Sequence, residues 1–227
     1  MRRRKRFRRK QGIPNGLPAS TRCVNLRFVF RGTLPFVDQT LRQVPVIANS
    51  ARNPTGSTLL PLPAGYQPLM FDTLARAYQK VMVVGSKAKF YVTPQTRGTG
   101  ATAVGQASQI MAGVYLSKQS TTPFTTVDQF IAAKRGQYKA ISFQRNQTTL
   151  TCNYSMRKFF NVTDVKDNQT DFAEGTADTA TAPNRLAYFI LYAQNMDFED
   201  ERQTDLPFVL TLDMTCVFST PRDVTDA

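Results

Sequence analysis

The most regular alternation in the chain lies near its C-terminal end. There LPFVLTLDMTCVFS sets Phe208, Leu210, Leu212, Met214, Cys216 and Phe218 on one side, with Thr211, Asp213, Thr215 and Ser219 among those opposite. A period of two over this length predicts a half-buried strand. RCVNLRFVFR repeats the pattern, with Val24, Leu26, Phe28 and Phe30 against Asn25, Arg27 and Arg31. A second strand is expected across Val37 to Ile47, and Pro35 and Pro45 place part of it at an edge or a bend. From Val81 to Thr93, Met82, Val84, Ala88, Phe90 and Val92 share one face, and Lys87 and Lys89 occupy the other. Those lysines join Arg27 and Arg31 as charges expected to point off one side of a sheet. QIMAGVYLSK is a further strand. YKAISFQ and TTLTCNYS are two short ones, with Ile141, Phe143, Leu150 and Cys152 inward, and they form a candidate hairpin around Arg145 and Asn146. RLAYFILYAQ is apolar almost throughout, the pattern of a strand covered on both faces.

Helical spacing appears only in short pieces between strands. In PLMFDTLARAYQK, Pro68 suits a first turn and Met70, Leu74 and Tyr78 recur at four-residue intervals. TTVDQFIAAKRG reads as a second short helix, capped by Thr125 or Thr126 and ended by Gly136. Two turn-rich stretches, Asn49 to Gln67 and Met156 to Asn184, read as surface excursions, and NMDFEDERQTD is an acidic loop. About eight strands with no alternating βαβ units predict an antiparallel sandwich. A jelly roll fits better than an immunoglobulin-like fold, whose Cys, Trp, Cys core is ruled out in a chain without tryptophan. Residues 21–227 are expected to form this jelly-roll domain, behind an arm and linker at 1–20.

The first ten residues, MRRRKRFRRK, change the picture. Arg2, Arg3, Arg4, Lys5, Arg6, Arg8, Arg9 and Lys10 surround a single aromatic, Phe7. Like charges repel, no apolar face exists to bury, and ordering each residue costs roughly 1–2 kcal/mol of backbone entropy. Such a segment calls for a polyanion. Its guanidinium forks suit phosphate oxygens, its charge releases counterions from nucleic acid, and Phe7 has a face on which an unpaired base can stack. The same composition matches a nuclear-import signal. Gln11 to Ser20, dense in Gly, Pro and Asn, links the arm to the domain. Along the whole chain, arm included, the charge is segregated: Met1 to Phe160 holds 25 bases and 3 acids, Asn161 to Ala227 holds 4 and 13. A basic face toward phosphate and an acidic one toward solvent or a neighbouring subunit is one expectation.

Other chemistry is sparse. The chain has no histidine, which excludes Ser-His-Asp and Cys-His arrangements, zincin motifs and two-His facial triads. No cofactor and no metal site is expected. Gly98 and Gly100 in RGTGATAVG lack the lysine and hydroxyl of a phosphate-binding loop and read as a turn. Asp197, Glu199, Asp200 and Glu201 match no calcium-loop spacing and read as a solvated loop. Cys23, Cys152 and Cys216, odd in number and far apart, are expected to be core thiols rather than disulfides. No apolar run approaches the ~18–20 residues of a membrane span, and the N-terminus lacks the apolar stretch of a secretory signal, so membrane insertion is not expected and the sequons at Asn146, Asn153, Asn161 and Asn168 read as chance matches.

The Arg-rich terminal arm, the strand soon after it and the segment FDTLARAYQKVMVVGSKAKFYVTP resemble the capsid proteins of circular single-stranded DNA viruses, the circovirus-like group. The resemblance rests on Phe71, Asp72, Tyr78, Val81, Val83, Val84, Lys87 and Lys89. The Tyr-Arg pair usual in that group is replaced here by Tyr78-Gln79-Lys80. What the resemblance implies is a jelly-roll subunit that builds an icosahedral virion of roughly 60 copies or a multiple. The arm would then face inward onto packaged single-stranded nucleic acid, DNA ahead of RNA, and engage the nuclear import machinery of the host before assembly in the nucleus. Two alternatives stay open: the shell protein of a small RNA or satellite virus, and a ribosomal or chromatin-like protein with a basic tail. An enzyme is the remote option.

Overall fold

In a computed structural model, residues 20–36, 41–54, 67–93, 95–96, 110–121, 124–132, 136–141, 148–162, 169–176, 182–196 and 204–222 are described. The alternating C-terminal stretch becomes the longest strand, β10 (Thr204–Pro221), and every apolar residue named on its inward side is buried. It lies between β1 (Thr21–Phe36) and β3 (Tyr78–Val92), and β7 (Thr148–Ser155) completes the order β1-β10-β3-β7. The short β4 (Gln95–Thr96) and β8 (Ala173–Gly175) pair with β10 and β3. A second sheet has the order β2-β9-β5-β6, from β2 (Arg42–Ile47), β9 (Tyr188–Asn195), β5 (Ile110–Ser117) and β6 (Gln137–Ile141).

All these pairings are antiparallel, and they nest. Leaving aside the two short strands, the first pairs with the eighth (β1 with β10) and the second with the seventh (β2 with β9). The third pairs with the sixth (β3 with β7), and the fourth with the fifth (β5 with β6). This wrapped order over two facing sheets is a jelly roll, as the strand count and alternation predict. Between the sheets, Phe208 meets Phe30 and Phe90 with ring centroids 6.0 Å apart in each case. Each such buried side chain contributes about 1.5–3 kcal/mol by leaving water.

The apolar run of β9 is explained by two cores. Phe189, Leu191 and Ala193 face the main core, and Ile190 and Tyr192 face a smaller one built with Tyr115, Val127 and Phe130. Val127 and Phe130 come from α2 (Val127–Ala132), which lays Phe130 flat on Tyr192 with 4.0 Å between centroids. The start of α2 is not capped by the bonds expected of Thr125 or Thr126. Gln129 Oε1 accepts from the Thr125 N–H (2.9 Å), and Gln194 Oε1 from β9 accepts from the Val127 N–H (2.8 Å). Gly136 stands where expected after the helix, at φ +78°, where an added β-carbon would run into the Val114 carbonyl.

Five further expectations need correction. Met70 does not join the buried face of α1 (Phe71–Ala77): it precedes the helix at φ 71°, 58% exposed, and Phe71 takes the inward place beside Leu74. In β3 the partner of Thr215 is Gly85 and that of Cys216 is Val83, so Val84 is the extra residue of a β-bulge. The bulge shifts the inward set from Val81 and Val83 to Ser86, Ala88, Phe90 and Val92, leaving Val84 only partly buried. The stretch from Met156 to Asn184 is not simply an excursion, since it contains α3 (Met156–Phe159), α4 (Gln169–Phe172) and β8, with Met156, Phe172 and Glu174 buried. Of the three thiols only Cys216 is a core residue; Cys152 is partly buried and Cys23 is exposed on β1. Burial pushes the Cys152 thiol up to about 11.

The fifth concerns β6 and β7, which do not pair as a hairpin but lie in different sheets. Side chains of β6 still reach the free edge of β7: Lys139 Nζ donates to the Thr149 carbonyl (3.0 Å), and the Thr151 N–H donates to Gln137 Oε1 (3.0 Å). Side chains here satisfy backbone groups that an unpaired edge would offer to another strand. In the Gln137→Ala/Lys139→Ala double variant, amide exchange at Thr151 is expected to accelerate roughly three- to tenfold, matching a net ~0.5–1.5 kcal/mol per hydrogen bond. Residue-resolved hydrogen exchange by NMR checks this, and unchanged protection at Thr151 refutes the capping role.

Candidate nucleic-acid interface

The eight arm cations, Arg2 to Arg6 together with Arg8, Arg9 and Lys10, lie outside the described residues, as do Phe7, Gly98, Gly100, Asp197, Glu199, Asp200 and Glu201. The acidic half of the two-faced expectation falls largely there as well. The basic half does not.

Because Leu26, Phe28 and Phe30 point into the core, Arg27, Val29 and Arg31 point out of β1. The registers carry the same parity across the sheet. Arg27 stands opposite Asp213, which stands opposite Lys87 and then Asn153. The next outward row is Val29, Thr211, Lys89 and Thr151, and the one after it Arg31, Val209, Tyr91 and Thr149. The four cations expected on one side of a sheet therefore do share one face, on two strands that β10 holds about 10 Å apart.

The only carboxylate in these rows is Asp213, and Arg27 Nε holds it at 2.6 Å. That bond and the charge of Asp213 raise the already high pKa of the Arg27 guanidinium. Among the described residues no carboxylate is paired with Arg31, Lys87 or Lys89. The face is hollowed at both ends. One groove of about 720 Å³ is lined by residues that include Arg27, Lys87, Asn25, Asn153 and Asp213. Another of about 390 Å³ runs along Arg31, Thr33, Tyr91 and Thr93. Val29, 45% exposed, stands in the row between them. The arrangement offers separated positive charges, hydrogen-bonding side chains and an aromatic ring on one grooved face.

The sequence reading missed two residues. Tyr91 alternates outward with Lys87 and Lys89, a parity readable in the sequence. Glu174 sits in a stretch read as loop, yet it is only 3% exposed. Its carboxylate accepts from Ser50 Oγ (2.7 Å), the Ala51 N–H (2.6 Å) and the Arg52 N–H (3.0 Å). Asn49 is tied in the same way, donating to the Arg185 carbonyl (2.7 Å) and accepting from the Ala187 N–H (2.9 Å). The beginning of the expected surface excursion is thus a buried polar knot. Burial pushes the Glu174 pKa upward despite these bonds and the charge of Arg52. Among the described residues no cluster of three or more Cys, Asp or Glu is placed to hold a metal ion.

No family model and no curated protein sequence matches the chain. Solved structures similar to it are viral capsid proteins. Desmodium yellow mottle tymovirus is 12% identical over 97% of this chain and 100% of its own, with a TM-score of 0.42. The Penaeus vannamei nodavirus capsid protein, a deletion mutant in a T=1 subviral particle, is 14% identical over 84% and 98%, with a TM-score of 0.41. The decameric BFDV capsid protein is 13% identical over 87% and 99%, with a TM-score of 0.40. At these values the likeness carries no functional weight, and the jelly roll stands on the strand order itself.

Proposed function

We propose that this chain is a viral capsid protein that assembles into a small icosahedral shell and packages single-stranded nucleic acid, DNA ahead of RNA, through Arg2 to Lys10. The observation that carries the reading is the joining of a jelly roll to a ten-residue segment with eight cations and no means of folding alone. A fold by itself assigns no role. The arm supplies the chemistry, since its density of guanidinium groups fits a polyphosphate. Its composition also fits nuclear import, which would bring the subunit to a replicating DNA genome.

Assembly follows from the same pair of features. Arms gathered inside a closed shell repel one another until phosphate neutralises them, which couples shell formation to cargo and to ionic strength. Closed symmetry multiplies each modest contact many times. The protein expressed alone is therefore expected to form uniform particles that carry host nucleic acid, or that need salt when stripped of it. Electron microscopy and light scattering test this. Monomers alone, across a wide range of protein, salt and nucleic-acid concentrations, overturn the capsid reading and favour the basic-tailed cellular binding protein.

A further inference from the structure

The packaging reading places nucleic acid at the arm. The folded domain offers a second surface with its own logic, the outward face of β1-β10-β3-β7. Its cations are not scattered. Lys87 and Lys89 are two residues apart on one strand, hence about 7 Å apart along it, and Arg31 lies two strands away on the row of Tyr91. Asp213 is bonded to Arg27 at 2.6 Å and also stands opposite Lys87, so that row keeps a net charge of one. Four cations against one carboxylate leave a net charge of three in these three rows. Tyr91 and a half-exposed Val29 stand among those charges and add apolar surface to the face.

We propose that this sheet face is a second contact for the single strand, with phosphates on Lys87, Lys89 and Arg31 and an unpaired base on Tyr91. The proposal rests on the packaging reading and extends it from the arm to the folded domain. Tyr91 lies two residues from Lys89 and in the row of Arg31, so a ring stands within reach of both charges, which suits an unpaired strand with its bases turned out better than a duplex with its bases stacked inside. Contacts to phosphate carry affinity without reading sequence, and stacking on one ring tolerates any base, so the face is expected to show little sequence preference. An acidic peptide would satisfy the cations but would leave Tyr91 and Val29 without a role.

Two measurements on the full chain test it. In the first, affinity for a short fluorescent oligodeoxythymidine is followed against salt for the wild type and for Arg31→Gln/Lys89→Gln. Each single-strand phosphate contact contributes about 0.7 to the slope of log affinity against log salt, so the double variant is expected to lose about 1.4. Both residues sit on an outward face, and matching melting curves confirm that the variant folds. In the second, the wild-type protein is photocrosslinked to an iodouracil-substituted oligonucleotide, with adducts expected on the β3 peptide holding Tyr91 as well as on the arm. An unchanged slope with adducts confined to residues 1–10 overturns the sheet contact and leaves packaging by the arm intact. A double variant that binds normally but assembles abnormally also overturns it, by making the face a contact for an acidic stretch such as Asp197 to Glu201 of a second copy. Failure of the full chain to bind the oligonucleotide at all removes the packaging reading and this proposal together.

Discussion

A chain lacking Met1 to Lys10 is expected to keep the melting behaviour of the full protein while its affinity for single-stranded DNA falls on the order of 10³-fold at low salt. The two halves of this result have separate causes. The deletion ends before the linker Gln11 to Ser20, and the first described strand begins at Thr21, so none of the packed cores loses a residue. Binding is lost because up to eight phosphate contacts go with the deleted residues. If six of the eight cations engage phosphate, the salt slope of the truncated protein falls by about 4. Isothermal titration or fluorescence anisotropy at several salt concentrations supplies the slope, and circular dichroism the melt. Equal affinity and equal slope in the two proteins remove the arm from cargo binding. The slope that remains after truncation belongs to the folded domain, and on the sheet-face proposal it is small but not zero.

The strands that were legible in the sequence are those with one wet face and one dry face. β10 and β1 alternate because the core lies on one side and solvent on the other, so the pattern survives in the residues. β9 was legible for the opposite reason: α2 covers its second face, and a strand buried twice has no polar positions to show. What escaped reading is what depends on partners far away in the chain. The bulge at Val84 is defined by its neighbour β10, and a stretch as apolar as VMVV carries no mark of which valine is the extra one. The separation of β6 from β7 was equally hidden. Two short strands joined by a turn look alike whether they pair or part to opposite sheets, and the jelly-roll wrapping decides.

The candidate interface divides in the same way. The arm announces itself by composition, since nothing in a packed domain tolerates eight cations in ten residues. The sheet face was half legible: parity alone sent Arg27, Arg31, Lys87 and Lys89 outward, but only the register sets them in adjacent rows across three strands. Glu174 was not legible. A lone acid in a Thr- and Ala-rich stretch looks solvated, and its partners Ser50, Ala51 and Arg52 lie more than a hundred residues earlier.

That buried acid gives the other large effect. Replacing Glu174 with Ala strands the Ser50 hydroxyl and the Ala51 and Arg52 amides in a buried site, at ~1–3 kcal/mol for each unsatisfied group. Removing a buried charge recovers part of that cost, so the expected net loss is about 3 kcal/mol, or roughly 6–12 °C in Tm for a chain of this length. Glu174→Gln keeps an oxygen for the two amides and an amide group that can donate to a rotated Ser50 hydroxyl, so its expected effect is within about 1 kcal/mol. The two variants separate hydrogen bonding from charge, and pH separates them again. Burial raises the folded-state pKa of Glu174 above its ordinary 4.5, with Arg52 the charged group that opposes the shift. Between those two values the folded chain holds a proton that the unfolded chain releases, so this group's contribution to stability grows as pH falls through the window. It is complete below 4.5 and lost as pH rises through the folded value. Wild type should therefore gain on Glu174→Gln as pH is lowered from neutrality toward 4.5, and the difference should then level off. Thermal melts of the three proteins across that range decide the matter. A Glu174→Ala protein as stable as wild type would remove the carboxylate as the anchor of residues 50–52, and a pH-independent difference between wild type and Glu174→Gln would remove its raised pKa.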